Sequence, residues 1–340
     1  MTIIDIAQMA GVSTGTVSRV VNERDGVGQE TRERVLALIA EQGYQASFFA
    51  KNLATKQAYA IGVVFPVLPS ELVMHPVFPE LLGAVGDVVG EADYSLMLLS
   101  VPADYRNGRV LAEVTRGRLD GLILTDVRVG DDLLDQLVER RFPAVVVGHR
   151  DDRVLWVDCD HDQAVFELTA QLIGSGHKQI AFVNGPLDLS VCILRRDGYR
   201  RALEKHGLAH RIELERQGPF TARHGFESLQ DLLNAPAAVR PTAVVAASDV
   251  IAAGCLDAAR VRRLRVPHDI AVTGFDDQPL AAHVQPSLTT ARMPIGEMGR
   301  NAAEMLLRLI EGEEVRPRSL VLPSELVVRE SSGARARWIF

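Results

Sequence analysis

Residues 3–22 read I-I-D-I-A-Q-M-A-G-V-S-T-G-T-V-S-R-V-V-N, and this stretch decides the character of the amino-terminal region. Ile6, Met9 and Ala10 fall at helical spacing, and Gly11-Val12-Ser13 then interrupts the pattern. A second short helix is predicted from Thr14, with Val17, Val20 and Val21 on its inner face. Two short helices across a three-residue, glycine-containing turn have the spacing of a helix-turn-helix. A helical hairpin of another fold has the same spacing. Ser13 can cap the second helix, because its hydroxyl accepts a backbone N–H that lacks an intrahelical partner. The outer face of that helix presents Thr14, Thr16, Ser18, Arg19 and Asn22. Short hydrogen-bonding side chains and a guanidinium suit phosphates and base edges.

Working outward, a third helix is expected over 30–42, with Val35, Leu38, Ile39 and Gln42 on one face and Gly43 as a carboxyl-terminal cap. The three helices close one small head. Residues 44–56 connect it to the rest. Phe48, Phe49 and Leu53 are more apolar than a plain linker needs, so 48–54 can form a short helix. Two turns are marginal in water, and that helix is expected only where something holds it.

From residue 60 short apolar strands alternate with helices. Strands are expected at 61–65, 95–99, 121–124 and 144–147, with helices near 78–91, 106–116 and 131–140. A second series has strands at 179–183, 243–246 and 270–273 and helices near 163–175, 194–206, 222–233 and 250–261. Such alternation means parallel sheets flanked by helices, here two similar α/β lobes. Residues 288–310 and 319–328 add a strand, a helix and a strand that cross back between the lobes. Residues 334–340 form a basic-aromatic end expected to fray.

Bulk properties limit the function classes. A chain of 340 residues has room for two or three domains, and 47% apolar residues can fill their cores. Residues 1–58 contain six basic and six acidic side chains, so the whole net charge of −7 lies in the body. A neutral head on an acidic body disfavours indiscriminate wrapping of nucleic acid and leaves room for a specific reader. Cys159, Cys192 and Cys255 follow no metal spacing and suit a reducing cytoplasm. Neither a secretory leader nor an apolar run long enough for a membrane span is read.

In doubly wound sheets ligands sit beyond the carboxyl ends of the strands. The residues expected there are Pro66, Thr125, Asp126, Gly148-His149-Arg150, Asn184-Gly185, Ser248-Asp249 and Gly274-Phe275-Asp276-Asp277. Phe78, Phe220 and Phe275 can add flat apolar faces. Facing lobes would gather these groups into a cleft suited to a sugar or a nucleobase. Asp249 suits capping of the helix that follows as well as it suits a ligand, Asp276 less so, and His177 suits a structural turn. No phosphate-binding G-x-x-x-x-G-K-[ST] and no G-x-S-x-G occurs. His149, His161, Asp158 and Asp160 fit no common metal spacing. Neither catalysis nor a cofactor is expected.

With both halves in view the chain resembles the lac-repressor (LacI/GalR) family of bacterial transcription regulators along nearly its whole length. The matching motifs are I-x-D-I-A-x-x-A-G-V-S-x-x-T-V-S-R-V-V-N at 3–22, T-R-x-R-V at 31–35 and A-x-x-L-A at 50–54. In the body they are I-G-V-V at 61–64, R-x-D-G-L-I-L at 118–124, R-P-T-A-V at 240–244, S-D-x-x-A at 248–252 and G-F-D-D at 274–277.

The resemblance implies a helix-turn-helix DNA-binding domain over 1–46 and a hinge helix and linker over 47–58. An effector-binding and dimerisation body would follow over 59–340. Its first lobe would take about 59–160 and 290–321, and its second about 161–289 and 322–332. It also implies a homodimer or tetramer on double-stranded operator DNA, with the second helix in the major groove and Leu53 wedged into a minor-groove base step. Effector contacts carried across are Phe78, His149, Arg195, Phe220, Asp249 and Asp276, for a small ligand expected to be a carbohydrate. Departures are Gly15 early in the recognition helix, His75-Pro76-Val77-Phe78 after the first strand, Ala46-Ser47 before the hinge, and Leu189 and Val191 where purine-responsive relatives carry polar groups. A sugar-binding or sugar-processing α/β protein with a vestigial head is the second reading, and retained DNA binding separates the two.

A wedge unstacks a base step at a cost of a few kcal/mol and gains bent DNA in return. Leu53→Ala is therefore expected to weaken specific operator binding more than non-specific binding, as measured by competition titration. Full operator specificity in the variant would reject the wedge.

Overall fold

The computed structural model describes residues 2–21, 25–43, 57–74, 77–102, 106–236 and 239–333. In the head, Thr2 and Asp5 cap each other at the start of helix α1 (Ile3–Ala10). Gly11, at φ +66°, turns the chain out of it. The Ser13 hydroxyl accepts the Thr16 N–H at 3.1 Å, capping helix α2 (Thr14–Val21) as its sequence position predicts. Helix α3 (Gln29–Glu41) closes the set. Ile6, Ala7, Ala10, Val17, Val20 and Val35 are buried together. Met9 is 48% exposed, contrary to expectation. The inward stripe of α1 runs through Ala7, whose small side chain lets the helices approach. The proposed hinge helix, Asn22 and the 334–340 end lie outside the described residues.

The body is built on two parallel sheets. The first has six strands in the order β11-β5-β4-β3-β1-β2. They are β1 (Ala60–Phe65), β2 (Ser95–Ser100), β3 (Gly121–Thr125), β4 (Ala144–Val147), β5 (Leu155–Cys159) and β11 (Ser319–Leu322). β1, β3, β4 and β5 are buried throughout, hence their continuous apolar runs. The connecting helices are α4 (Pro69–Met74), α5 (Phe78–Glu91), α6 (Arg106–Thr115) and α7 (Asp132–Glu139).

The second sheet runs β7-β6-β8-β9, from β6 (Ile180–Asn184), β7 (Glu215–Gln217), β8 (Ala243–Ala246) and β9 (Ala271–Thr273). Its helices are α8 (His161–Gly174), α9 (Ser190–Lys205), α10 (Ala222–Asn234), α11 (Asp249–Val261) and the short α12 (Pro279–His283). Both sheets reverse their strand order at one point, between β1 and β3 and between β6 and β8. A crevice forms there beyond the strand ends.

Three crossings join the two sheets among the described residues. The chain leaves the first sheet between β5 and α8. It returns through β10 (Thr290–Arg292) into α13 (Ile295–Ile310), which packs on α5 and the first sheet. It leaves again from β11 through β12 (Glu325–Val327). β10 and β12 pair antiparallel, and the Asp160 N–H donates to the Leu322 carbonyl at 2.9 Å, so the crossings are bonded to one another. β5 and β7 were not expected from the sequence. β5 contains the carboxylate Asp158, and β7 is the wholly polar Glu-Arg-Gln at a sheet edge.

Ser13→Ala removes the cap of α2 and is expected to destabilise the head by about 1 kcal/mol. Amide exchange in α2 should accelerate while the body's melting temperature stays unchanged; unaltered exchange would show that the cap contributes nothing.

Candidate functional site

A cavity of about 150 Å³ opens between the two sheets at their switch points. The first sheet's side supplies Thr125 and Asp126 at the end of β3, and Val147 and Gly148 at the end of β4. Phe78 and Leu81 of α5 and Met298 of α13 add apolar walls. The second sheet's side supplies Arg195 of α9, Phe220 ahead of α10, Ser248 after β8, and Asp276 and Gln278 after β9.

Arg195 is only 4% exposed, and each of its three guanidinium nitrogens has a protein partner. Nε donates to His161 Nδ1 at 3.2 Å, and Nη1 donates to the Ala247 carbonyl. Nη2 lies 3.7 Å from the Met293 sulfur and 3.9 Å from Asp276 Oδ1. The cation also sits over the Phe275 ring, 4.0 Å from its centroid.

Asp276 has φ +109°, a conformation costly for a residue with a Cβ. It persists because its N–H donates to the Ala291 carbonyl at 2.8 Å, tying the turn to β10. Its Oδ2 accepts from Gln278 Nε2 at 2.9 Å. Asp249 lies behind this turn, fully buried, where Oδ1 accepts from Thr290 Oγ1 at 2.7 Å and Oδ2 from the Gln278 N–H at 2.8 Å. Gly274 is required beside it, because a Cβ there would strike the Asp249 carboxylate. Burial, joined by the charge of Asp276, raises the Asp249 carboxyl well above its ordinary value. Burial also raises Asp276, opposed by the Arg195 cation.

Of the sequence-predicted effector residues, Phe78, Arg195, Phe220 and Asp276 line the cavity. Two do not. Asp249 supports the 274–278 turn from behind, and Ser248, not Asp249, caps α11 through the Ile251 N–H at 3.2 Å. His149 lies beside the cavity, its Nδ1 3.0 Å from Ser190 Oγ of α9, and its burial lowers its proton affinity. Val191 lines the wall, an apolar contact at a position the sequence marked as a departure.

Sequence reasoning missed His161 and Gln278 as cavity residues. His161 follows a strand whose existence was not foreseen, so it was absent from the strand-end set. Gln278 had a visible signal, an amide directly after the Gly-Phe-Asp-Asp turn.

Asp158, Cys159 and His161 place three ligand-type atoms within 4.8 Å of one another. The donor set fits a cation poorly. Arg150 Nε donates to Asp158 Oδ2 at 2.8 Å, Arg195 occupies His161, and burial pushes the Cys159 thiol up to about 12, keeping it protonated.

In the head, Thr14 and Arg19 are exposed on α2, Thr16 and Ser18 are half-buried, and Val17 and Val20 face the core. Asn22 and Leu53 lie outside the described residues.

A helix-turn-helix head followed by a two-lobed α/β body, with a cavity at paired switch points whose apolar walls carry a few charged and polar groups, defines a ligand-sensing DNA-binding protein. The chain belongs to the lacI family of bacterial regulators. Residues 2–47 match the description "Bacterial regulatory proteins, lacI family", and residues 169–332 match "Periplasmic binding protein-like domain". It is 33% identical over 330 residues to the HTH-type transcriptional regulator CelR of Thermobifida fusca, covering 96% of each chain. The solved transcriptional regulator CelR–cellobiose complex superposes with a TM-score of 0.77 at 32% identity, covering 97% of this chain and 99% of that one. The lac repressor dimer bound to operator and the anti-inducer ONPF gives 0.83 at 29% identity, covering 98% and 99%.

The raised carboxyl of Asp249 sets a sign for pH dependence. A carboxyl that keeps its proton in the fold contributes stability fully present below its unfolded value, 3.8. That contribution is lost as pH rises through the raised folded value. Asp249→Asn is therefore expected to flatten the fall of the body's melting temperature from acid to mildly alkaline pH. Thermal unfolding across a pH series checks it, and parallel curves for the two proteins would show that Asp249 folds already ionised.

Proposed function

We propose that this chain is a cytoplasmic transcriptional repressor, a homodimer or tetramer on a near-palindromic operator, controlled by a small carbohydrate held between its lobes. The observation that carries the reading is the placement of Arg195 and Asp276 on one wall of the cavity, in a chain with a helix-turn-helix head. A guanidinium donates and a carboxylate accepts, so together they suit neighbouring hydroxyls. Phe78 and Phe220 add apolar faces for a sugar ring's C–H groups. A cavity of about 150 Å³ holds about five waters at ~30 Å³ each, the size of one sugar ring rather than of a long oligosaccharide. The solved complex of the similar CelR with cellobiose supports a carbohydrate.

In this reading Phe78, Arg195, Phe220 and Asp276 touch the effector, while His149 and Asp249 hold the walls in place. Thr14, Thr16, Ser18 and Arg19 meet the operator, joined by Asn22 and Leu53. The partition is a DNA-binding head over 1–46, a hinge over 47–58 and the two-lobed body beyond. Membership of strands and helices in the two sheets supports dividing that body near 160, 290 and 322.

The test is operator binding to the DNA upstream of the chain's own gene, with D-ribose, D-glucose or cellobiose titrated in. Removing one partner of a buried polar pair leaves the other unsatisfied, at about 1–3 kcal/mol. Asp276→Ala is expected to weaken effector affinity roughly ten- to a hundredfold. Operator binding without sugar should stay unchanged. Loss of that binding would make Asp276 structural, and failure of the wild type to retard the DNA would favour a sugar-binding protein with a vestigial head.

A further inference from the structure

His161 is the first residue of α8, at the point where the chain leaves the first sheet for the second. It lines the cavity yet is 1% exposed. Its two ring nitrogens have different partners. Nδ1 faces Arg195 Nε at 3.2 Å, and a guanidinium N–H only donates, so Nδ1 must accept. Nε2 lies 3.0 Å from Asp158 Oδ1, a carboxylate oxygen that accepts, so Nε2 must bear the hydrogen. One tautomer satisfies both, the neutral ring protonated at Nε2.

Asp158 belongs to β5 and is itself held by Arg150 Nε at 2.8 Å and by the Cys159 N–H at 2.9 Å. The ring packs on Phe275, 5.5 Å between centroids, the same ring that lies under the Arg195 guanidinium. The imidazole is thus fixed in place, tautomer and orientation by groups from both sheets.

We infer that His161 is a positioning residue: as the neutral Nε2–H tautomer it aims the Arg195 guanidinium along the cavity wall and anchors it to β5 of the opposite sheet. The inference rests on Arg195 being an effector contact, as proposed above. Through this ring the group that grips ligand on the second sheet's side is fastened to a strand of the first. A displacement of Arg195 is felt at the crossing itself.

Two measurements test it. The first needs no ligand. In the full-length protein with ¹⁵N-labelled histidine, the His161 signals, assigned by their loss in His161→Gln, are expected to show a protonated Nε2 and a bare Nδ1 at neutral pH. A proton on Nδ1, or an imidazolium, would overturn the inference.

The second compares variants by calorimetry with D-ribose, D-glucose and cellobiose as probes. A glutamine amide accepts at one end and donates at the other, so His161→Gln is expected to bind within about threefold of wild type. His161→Phe keeps the ring and loses both bonds, and is expected to bind roughly tenfold or more weakly. Equal binding by all three proteins overturns the role. So does equal loss in both variants while each still unfolds cooperatively, because shape and not bonding would then decide. If the wild type takes none of the three sugars, the carbohydrate reading fails, and the positioning role stands or falls on the nitrogen spectrum.

Discussion

A guanidinium almost wholly removed from water is the constraint around which the effector side of this molecule is arranged. Arg195 cannot shed its charge, and burying an ion without partners costs far more than a domain's net stability can absorb. Its hydration is replaced by fixed groups: a ring nitrogen of His161, the Ala247 carbonyl, the Met293 sulfur, the Asp276 carboxylate and the face of Phe275. These come from α8, from the end of β8, from the second crossing and from the turn after β9. Satisfying one cation therefore fixes four separate segments at once. It also explains why Asp276 tolerates a strained backbone, since relaxing it would move the nearest counter-charge away.

Much of the architecture was legible in the sequence because the buried strands of doubly wound sheets are continuous apolar runs. The β1, β3, β4 and β8 segments announce themselves that way. β5 did not, because Asp158 interrupts its run; that carboxylate is held by the adjacent Cys159 N–H and by Arg150 and His161, side-chain partners invisible to any local pattern. β7 has no apolar signal, being a short polar edge. In the head the helices were legible and one detail was not. Met9 fits the periodicity, but Ala7 is buried and Met9 exposed, and only packing decides between them.

The cavity was legible in outline. Strand-end reasoning found Thr125, Asp126, Gly148, Ser248 and Asp276, the search for flat apolar faces found Phe78 and Phe220, and the family resemblance added Arg195. Both routes named Asp249 as well, and its place behind the turn depends on which way a buried carboxylate points. That choice is made by the Thr290 hydroxyl and the Gln278 backbone N–H, which reach it from distant segments. His161 shows the opposite failure, a cavity residue hidden because its preceding strand was hidden.

The crossings between the two sheets have a mechanical meaning. A single strand of chain between two bodies lets them bend and twist freely. Here β10 and β12 are paired, and Asp160 is bonded to Leu322, so the connecting strands act as one ribbon. Strands paired in this way cannot slide past one another without breaking backbone hydrogen bonds. The three crossings are therefore loaded together, and no one of them can shift without pulling on the others.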